Sequence, residues 1–418
     1  MIKKIRNNSI YFNNRKIIEN FSFLSLIQVV SLVSPLITYP YLIKVLGLEL
    51  YGTVIFAQAV VSYLSLVVNF GYHTTGPKEV SILRNHIREL SAFVSSVFIV
   101  KTVLWLITFV LFMLVISFFD YFRPYFLLYF FTFFVTVGDV LFPIWFFQGI
   151  EKMKYISYIN IFVKLIFVVC IYIFIKEKSD YLLIPIINAA GAIISAIISI
   201  YIVFRKEGVL FIKVKYGDIK KSFRESSVLF VSSLSTSIYL SLNKLIVGSF
   251  LGMKDVAVYD LAEKVVSIIK TPIIILSQAV FPKISREKSI RFINKAMVFS
   301  LAGVFILYLL LFLFSDHIVY FFLHSHNSLA VNVIRIYGVS MFFLTIGIFL
   351  GGLRLIPFGY NKQYMLVMMA NGIFYSLIIS VLYFFKYTTL YSITMAYVLA
   401  EVFCVLYLLK INRKLHLI

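Results

Sequence analysis

Charge is scarce in this chain, and negative charge scarcest. Only 18 Asp and Glu stand against 39 Lys and Arg among 418 residues, and charged residues total 14%. With 61% hydrophobic residues and a mean hydropathy of +0.97, a soluble domain could not hide so much apolar surface, which leaves the membrane class. Cysteine is almost missing. Cys170 and Cys404 each fall inside an apolar run with no CxxC spacing, so a disulfide framework and a zinc ribbon are both excluded. No P-loop occurs, which excludes an ATPase within this chain, and no Ser-His-Asp set can be argued from spacing. Lys3, Lys4, Arg6, Arg15 and Lys16 precede the first apolar run, but the short apolar core and small-residue cleavage site of a secretory signal do not follow. The first run is therefore expected to stay.

What is present is apolar sequence in long pieces. A helix needs roughly 20 apolar residues to cross about 30 Å of hydrocarbon. Twelve runs qualify, near 21–43, 52–73, 92–117, 124–147, 155–175, 181–204, 227–250, 256–281, 296–314, 330–352, 364–385 and 389–409. The expected fold is an all-α polytopic bundle of 12 transmembrane helices. Counted from a cytoplasmic N-terminus, the connections on that side hold 26 Lys and Arg, and the opposite side holds six: Lys44, Arg123, Lys176, Lys178, Lys254 and Lys386. Basic residues concentrate on cytoplasmic loops, so both termini are assigned there. The same bias accounts for most of the net charge of +21. Nucleic-acid binding, the rival explanation of a basic chain, would need a longer basic face than any loop provides.

The longest cytoplasmic connection, 205–222 (RKEGVLFIKVKYGDIKKS), separates an N-lobe of six spans (1–204) from a C-lobe of six (223–418). At a constant offset of 205, Leu46-Gly47 falls on Leu251-Gly252, Ala57 on Ala262 and Pro77-Lys78 on Pro282-Lys283. Both halves start in the cytoplasm, so they read as parallel repeats, an arrangement whose substrate site lies between halves near the midplane. Pro35, Pro40, Pro143, Pro185 and Pro272 lie within spans, where each would free a backbone carbonyl.

Helical periodicity gathers polar residues into stripes. Gln58, Ser62, Ser65, Asn69 and His73 share one face of span 2; Gln28, Ser31, Pro35 and Tyr39 share one of span 1; Ser233, Ser237, Ser241 and Lys244 share one of span 7. Span 8 is the most polar, with Asp260, Glu263, Lys264, Ser267, Lys270, Thr271 and Gln278 in one arc. Serines alone would be ordinary helix contacts. The charges are different, because each Lys, Arg or Asp at mid-bilayer costs roughly 2.5–3.5 kcal/mol. Lys101, Lys164, Lys244, Lys264, Lys270 and Arg335 stand against four intramembrane acids, Asp139, Asp260, Glu263 and Glu401. Asp260 and Lys264 are spaced i,i+4 and can pair. Lys244, Lys264 and Arg335 sit toward the outer ends of their spans and can extend to the interface. Lys101, Lys164 and Lys270 lie deeper and are expected to line a wet, positive cavity suited to an anionic cargo. Five of the six cations are Lys, a point charge able to follow a moving phosphate.

Three segments carry a resemblance: YLIKVLGLELYGTVIFAQA (41–59), PIWFFQGIEKMKY (143–155) and VAVYDLAEKVVSIIKTPIIILSQAVFPKIS (256–285). They resemble the bacterial O-antigen and polysaccharide repeat-unit flippases of the multidrug/oligosaccharidyl-lipid/polysaccharide exporter superfamily. The resemblance implies a V-shaped, two-lobed bundle in the bacterial inner membrane. It implies a cargo of undecaprenyl-pyrophosphate-linked oligosaccharide, moved from the cytoplasmic to the periplasmic leaflet by alternating access. It also implies an ion gradient as driving force, with no cofactor, and contact with a polysaccharide polymerase and a chain-length regulator. Some drug-exporting relatives carry a coupling acid in the first span; 21–43 holds no Asp or Glu. A coupled proton or sodium ion would then fall to Asp139, Asp260, Glu263 or Glu401. Two other readings compete. A multidrug cation antiporter would want an acidic cavity, and a membrane polysaccharide polymerase would need a large outer loop. The longest outer loop, 315–329, contains Asp316, His317, His324 and His326. These histidines have no Cys and only one acid nearby and are expected to face solvent.

Overall fold

A computed structural model describes residues 2–417, with side chains described except those of 2–21, Leu24, 228–229, 231–241 and Pro282. The five N-terminal basic residues, Ser233, Ser237, Ser241 and Pro282 therefore lie outside the described side chains. Fifteen α-helices follow in order: α1 (Ile2–Leu46), α2 (Leu48–Asn69), α3 (Tyr72–Leu83), α4 (Ile87–Phe118), α5 (Phe126–Phe133), α6 (Thr136–Leu141), α7 (Ile144–Gly149), α8 (Met153–Phe174), α9 (Leu183–Tyr201), α10 (Tyr216–Phe250), α11 (Met253–Glu287), α12 (Ile290–Leu323), α13 (Ser328–Gly347), α14 (Asn361–Phe384) and α15 (Leu390–Lys414). No strand occurs among the described residues. Eleven stretches are long and apolar enough to cross a membrane among the described residues. The twelfth expected span, 227–250, falls on α10, a continuous helix whose central side chains lie outside those described. The chain is a multi-pass membrane protein.

Local sequence sets the breaks. Ser289, Asn327 and Thr389 cap α12, α13 and α15 by accepting from backbone N–H groups of the first turn. The expected fourth span is not one helix but three, α5 to α7; the break between α6 and α7 falls at Pro143, which has no N–H to continue the ladder. Pro35 and Pro40 are absorbed within α1 and Pro272 within α11. At the offset of 205 residues the two halves break alike. α1 and α2 are separated at Gly47, φ 79°, and α10 and α11 at Gly252, φ 120°. Both backbones are in a region that strongly favours glycine. The Pro143 break of the first half corresponds to a widened π turn, Ile348–Leu355, in the second. Ala57 and Ala262 are both fully buried.

The helices gather into two compact units, one of residues 1–38 and 60–233, the other of 39–59 and 234–418. The division differs from one at the 205–222 connection. The end of α1 and the start of α2 belong with the second unit because they pack on α11 there. Tyr39 donates its hydroxyl to the Ala257 carbonyl at 2.6 Å, and Gly52 meets the Met253 backbone so closely that a Cβ would stand 1.7 Å from its oxygen. The first unit has a core of Phe70, Tyr72, Val94, Val97, Trp145, Phe146 and Phe147. In the second unit, Leu350, Leu355, Val367, Cys404 and Leu408 form one cluster and Ile284, Ile293, Phe349 and Leu353 another.

Candidate functional site

In the first unit the Pro143 break creates a polar centre. An α-helix would close Asp139 C=O onto the N–H four residues on, and that residue is Pro143, which has none. Lys101 on α4, 1% exposed, takes the freed carbonyl with its Nζ and also donates to Asn69 Oδ1 at 3.0 Å. Asn69 in turn donates from Nδ2 to Asp139 Oδ1 at 2.9 Å. Three helices thus converge through one ammonium, one amide and one carboxylate. Asn69 is the member of the span 2 stripe that links Lys101 to Asp139. Lys164 on α8 is half-buried in the same unit and donates to Ser31 Oγ, which donates to Ile27 C=O at 2.6 Å.

The second unit holds a denser centre on one face of α11, 7 to 11 residues into the helix. At about 1.5 Å per residue this is roughly 10–17 Å from its start, well inside hydrocarbon about 30 Å thick. Asp260, 1% exposed, accepts from Lys244 at 2.7 Å through one oxygen and from Lys264 at 2.5 Å through the other. Lys244 also pairs with Glu263 at 2.7 Å. Lys264 Nζ donates to Tyr51 OH at 3.2 Å and lies 4.8 Å from the Tyr39 ring centroid and 5.7 Å from that of Tyr51. Two ammonium groups and two carboxylates are balanced, with two tyrosine faces adding cation–π attraction. Further along α11, Lys270, also buried, stands 4.9 Å from Tyr337 and 5.5 Å from Tyr397, whose rings stack 5.0 Å apart. Glu401 on α15 and Glu263 are the acids that act on it.

The structure revises the outward reading of Lys244 and Lys264 but not that of Arg335. Lys244 and Lys264 do not extend to the interface; Asp260 and Glu263 hold them, because pairing in low dielectric outweighs the strain of stretching to water. Arg335 reaches Asp316 at 2.9 Å and Ser315 Oγ at 2.8 Å, with Phe312 under its guanidinium. Lys101 is held by the Asp139 carbonyl and Asn69, and Lys270 lies over the Tyr337 and Tyr397 rings. Lys101 and Lys164 belong to the first unit and Lys270 to the second.

Sequence reasoning misses several members. Periodicity puts Tyr39 in a polar stripe and leaves Tyr51, Tyr337 and Tyr397 as packing. Their positions across from lysines depend on helix pairing that periodicity cannot give. Arg354, assigned by the hydropathy pattern to a loop, is 1% exposed in the π turn and bonds Asn294 through Nη2, with Nε and Nη1 lacking a hydrogen-bond partner. Among the described residues no group of three His, Cys, Asp or Glu could hold a metal.

A family of polysaccharide biosynthesis proteins matches residues 17–288, well over half of the chain. The chain belongs to that family. A protein of Escherichia coli (strain K12) named "Putative O-antigen transporter" is 24% identical over 388 residues, covering 91% of this chain and 92% of that protein. Among solved structures, the lipid II flippase MurJ in an inward closed conformation aligns with a TM-score of 0.71 at 15% identity, over 94% of this chain and 86% of that one. An inward-facing multidrug MATE transporter aligns at 0.67 and 14% identity, over 93% and 98%. At those identities the two structures establish the fold alone.

Proposed function

We propose that this chain is a flippase for a lipid-linked polysaccharide precursor, carrying an undecaprenyl-pyrophosphate-linked oligosaccharide from the cytoplasmic to the periplasmic leaflet of a bacterial inner membrane. The observation that carries the reading is the Lys244–Lys264–Asp260–Glu263 centre, sunk into the apolar length of α11. Membranes tolerate such groups chiefly where they serve a pathway. The family match, the relative named as a transporter and the fold shared with a lipid flippase support the same reading, and they favour a carrier over a catalyst.

The chemistry is an exchange of anions. At rest the carboxylates neutralise the two lysines. The pyrophosphate of such a cargo carries enough negative charge to compete for them, and lysine follows it as a point charge. Protonation of Asp260 would release Lys264 toward the cargo while Glu263 keeps Lys244, and loss of the proton would reclaim it, so a proton gradient could drive the cycle. Tyr39 and Tyr51 hold the released ammonium in place by their ring faces.

The test is complementation of a strain lacking its flippase, with the repeat unit matched. Lys244→Gln and Lys264→Gln should each lower surface polysaccharide at unchanged protein level, with lipid-linked intermediate accumulating. Normal export by both variants would overturn the role of this centre.

A further inference from the structure

Outside the charged centres, the first unit carries a groove that neither repeat logic nor the charge pattern explains. After α9 the chain makes one π turn, Ile202–Lys206, and then runs without helix or strand to α10. This strap lies on α4: Leu210 N–H donates to Ser91 Oγ and Ile212 N–H to Ser95 Oγ, each at 3.0 Å. Between strap, α4 and α9 a cavity of about 370 Å³ is lined by Phe98, Thr102, Leu141, Ile200, Phe204 and Phe211. Val103, also in its lining, is 49% exposed, a lipid-facing position in a membrane protein.

The rim of the groove is basic. Seven Lys and Arg and two acids lie between Arg205 and Arg224. One acid, Glu207, is held by Lys152 at 2.6 Å. Arg205 and Lys206 directly follow the lining Phe204, and Lys213 is two residues past Phe211, roughly 7 Å along an extended chain. These three are exposed, and no ion pair involves them among the described residues. Just beyond, Lys220, Lys221 and Arg224 border a second opening of about 570 Å³.

We propose that this groove binds an anionic phospholipid of the leaflet on the basic side, one acyl chain in the groove and the phosphate against Arg205, Lys206 and Lys213. Depth selects the occupant. Val103 lies 11 residues beyond residue 92, where the span begins, or about 16 Å at 1.5 Å per residue. Half of a hydrocarbon core is about 15 Å. The groove therefore lies within one leaflet with its deep end near the midplane, inside the reach of an acyl chain; a long polyprenyl chain would overrun it. Loop position alone would account for the basic residues but leaves the apolar groove beneath them without purpose. The bound lipid would hold the strap on α4.

The inference stands apart from the cargo reading, and its test uses no cargo. The full chain in detergent is titrated with phosphatidylglycerol, with phosphatidylcholine of the same acyl chains, and with glycerol phosphate, and thermal stability is followed. Phosphatidylglycerol should raise the melting temperature at concentrations where the other two do not. In R205Q/K206Q/K213Q the half-maximal lipid concentration should rise at least tenfold. Thr102→Trp, which fills the groove and leaves the rim intact, should shift it in the same direction. Equal stabilisation by phosphatidylcholine would overturn the proposal, as would a full effect of glycerol phosphate or unchanged titrations in both variants.

Discussion

Asp260→Asn removes the carboxylate that two ammonium groups share. Asp260 is 1% exposed, and its oxygens lie 2.7 and 2.5 Å from Lys244 and Lys264. The amide keeps the shape but cannot neutralise either cation. Glu263 still serves Lys244, at 2.7 Å, so the uncompensated charge falls on Lys264, which keeps only the Tyr51 hydroxyl and two ring faces. Breaking one partner of a buried pair costs about 3–5 kcal/mol. Partial exposure of Lys264, 26%, places the expected loss at the lower end, about 3 kcal/mol. The assay is thermal unfolding in detergent, read by the monomer peak in size exclusion. Lys264→Met alone should cost less, because it leaves Asp260 with Lys244, and Asp260→Asn combined with Lys264→Met should be more stable than Asp260→Asn. A coupling above about 1 kcal/mol between the two is expected for groups in one network. Strictly additive effects, or Asp260→Asn as stable as wild type, would refute the electrostatic account.

Other consequences follow from single contacts. Pro143→Ala restores an N–H able to claim the Asp139 carbonyl in place of Lys101; export should fall while the helical signal in circular dichroism is unchanged or rises slightly. Gly52→Ala would put a Cβ 1.7 Å from the Met253 carbonyl, a backbone atom that cannot step aside, so folded yield should collapse. Gly248→Ala meets chiefly the Phe56 ring, at 2.2 Å, and Phe56→Leu should rescue it, measured as recovered monomer after purification. Arg354→Met removes a buried guanidinium with two nitrogens lacking a hydrogen-bond partner and should leave the protein as stable or raise stability by about 1–4 kcal/mol, again by thermal unfolding.

Span-scale hydropathy made most of the architecture legible, since length and apolarity decide which segments cross a bilayer. The repeat showed in Leu46-Gly47 and Leu251-Gly252 because a positive-φ turn favours glycine in both copies. The i,i+4 pairing of Asp260 with Lys264 was also readable, being local to one helix. Pairings between helices were not. Nothing in the spacing joins Lys244 to Glu263, Lys101 to Asn69, or Lys264 to Tyr39, which lie 19 to 225 residues apart. One such link did have a local signature: Pro143 stands four residues after Asp139, so a donor was owed to that carbonyl, and only its identity as Lys101 awaited the fold. Counting charges without positions overstated the positive surplus, because Asp316 just outside its span neutralises Arg335, and missed Arg354, which hydropathy placed in a loop.

The most direct test is transport by purified protein in sealed vesicles carrying a fluorescent polyprenyl-pyrophosphate-linked oligosaccharide in one leaflet, with a membrane-impermeant quencher reporting its arrival in the other. Wild-type protein should move the label, and folded Lys244→Gln or Lys264→Gln protein should move it at least tenfold more slowly. Wild-type rates from both variants would contradict the claim that these half-buried lysines hold the cargo's phosphates.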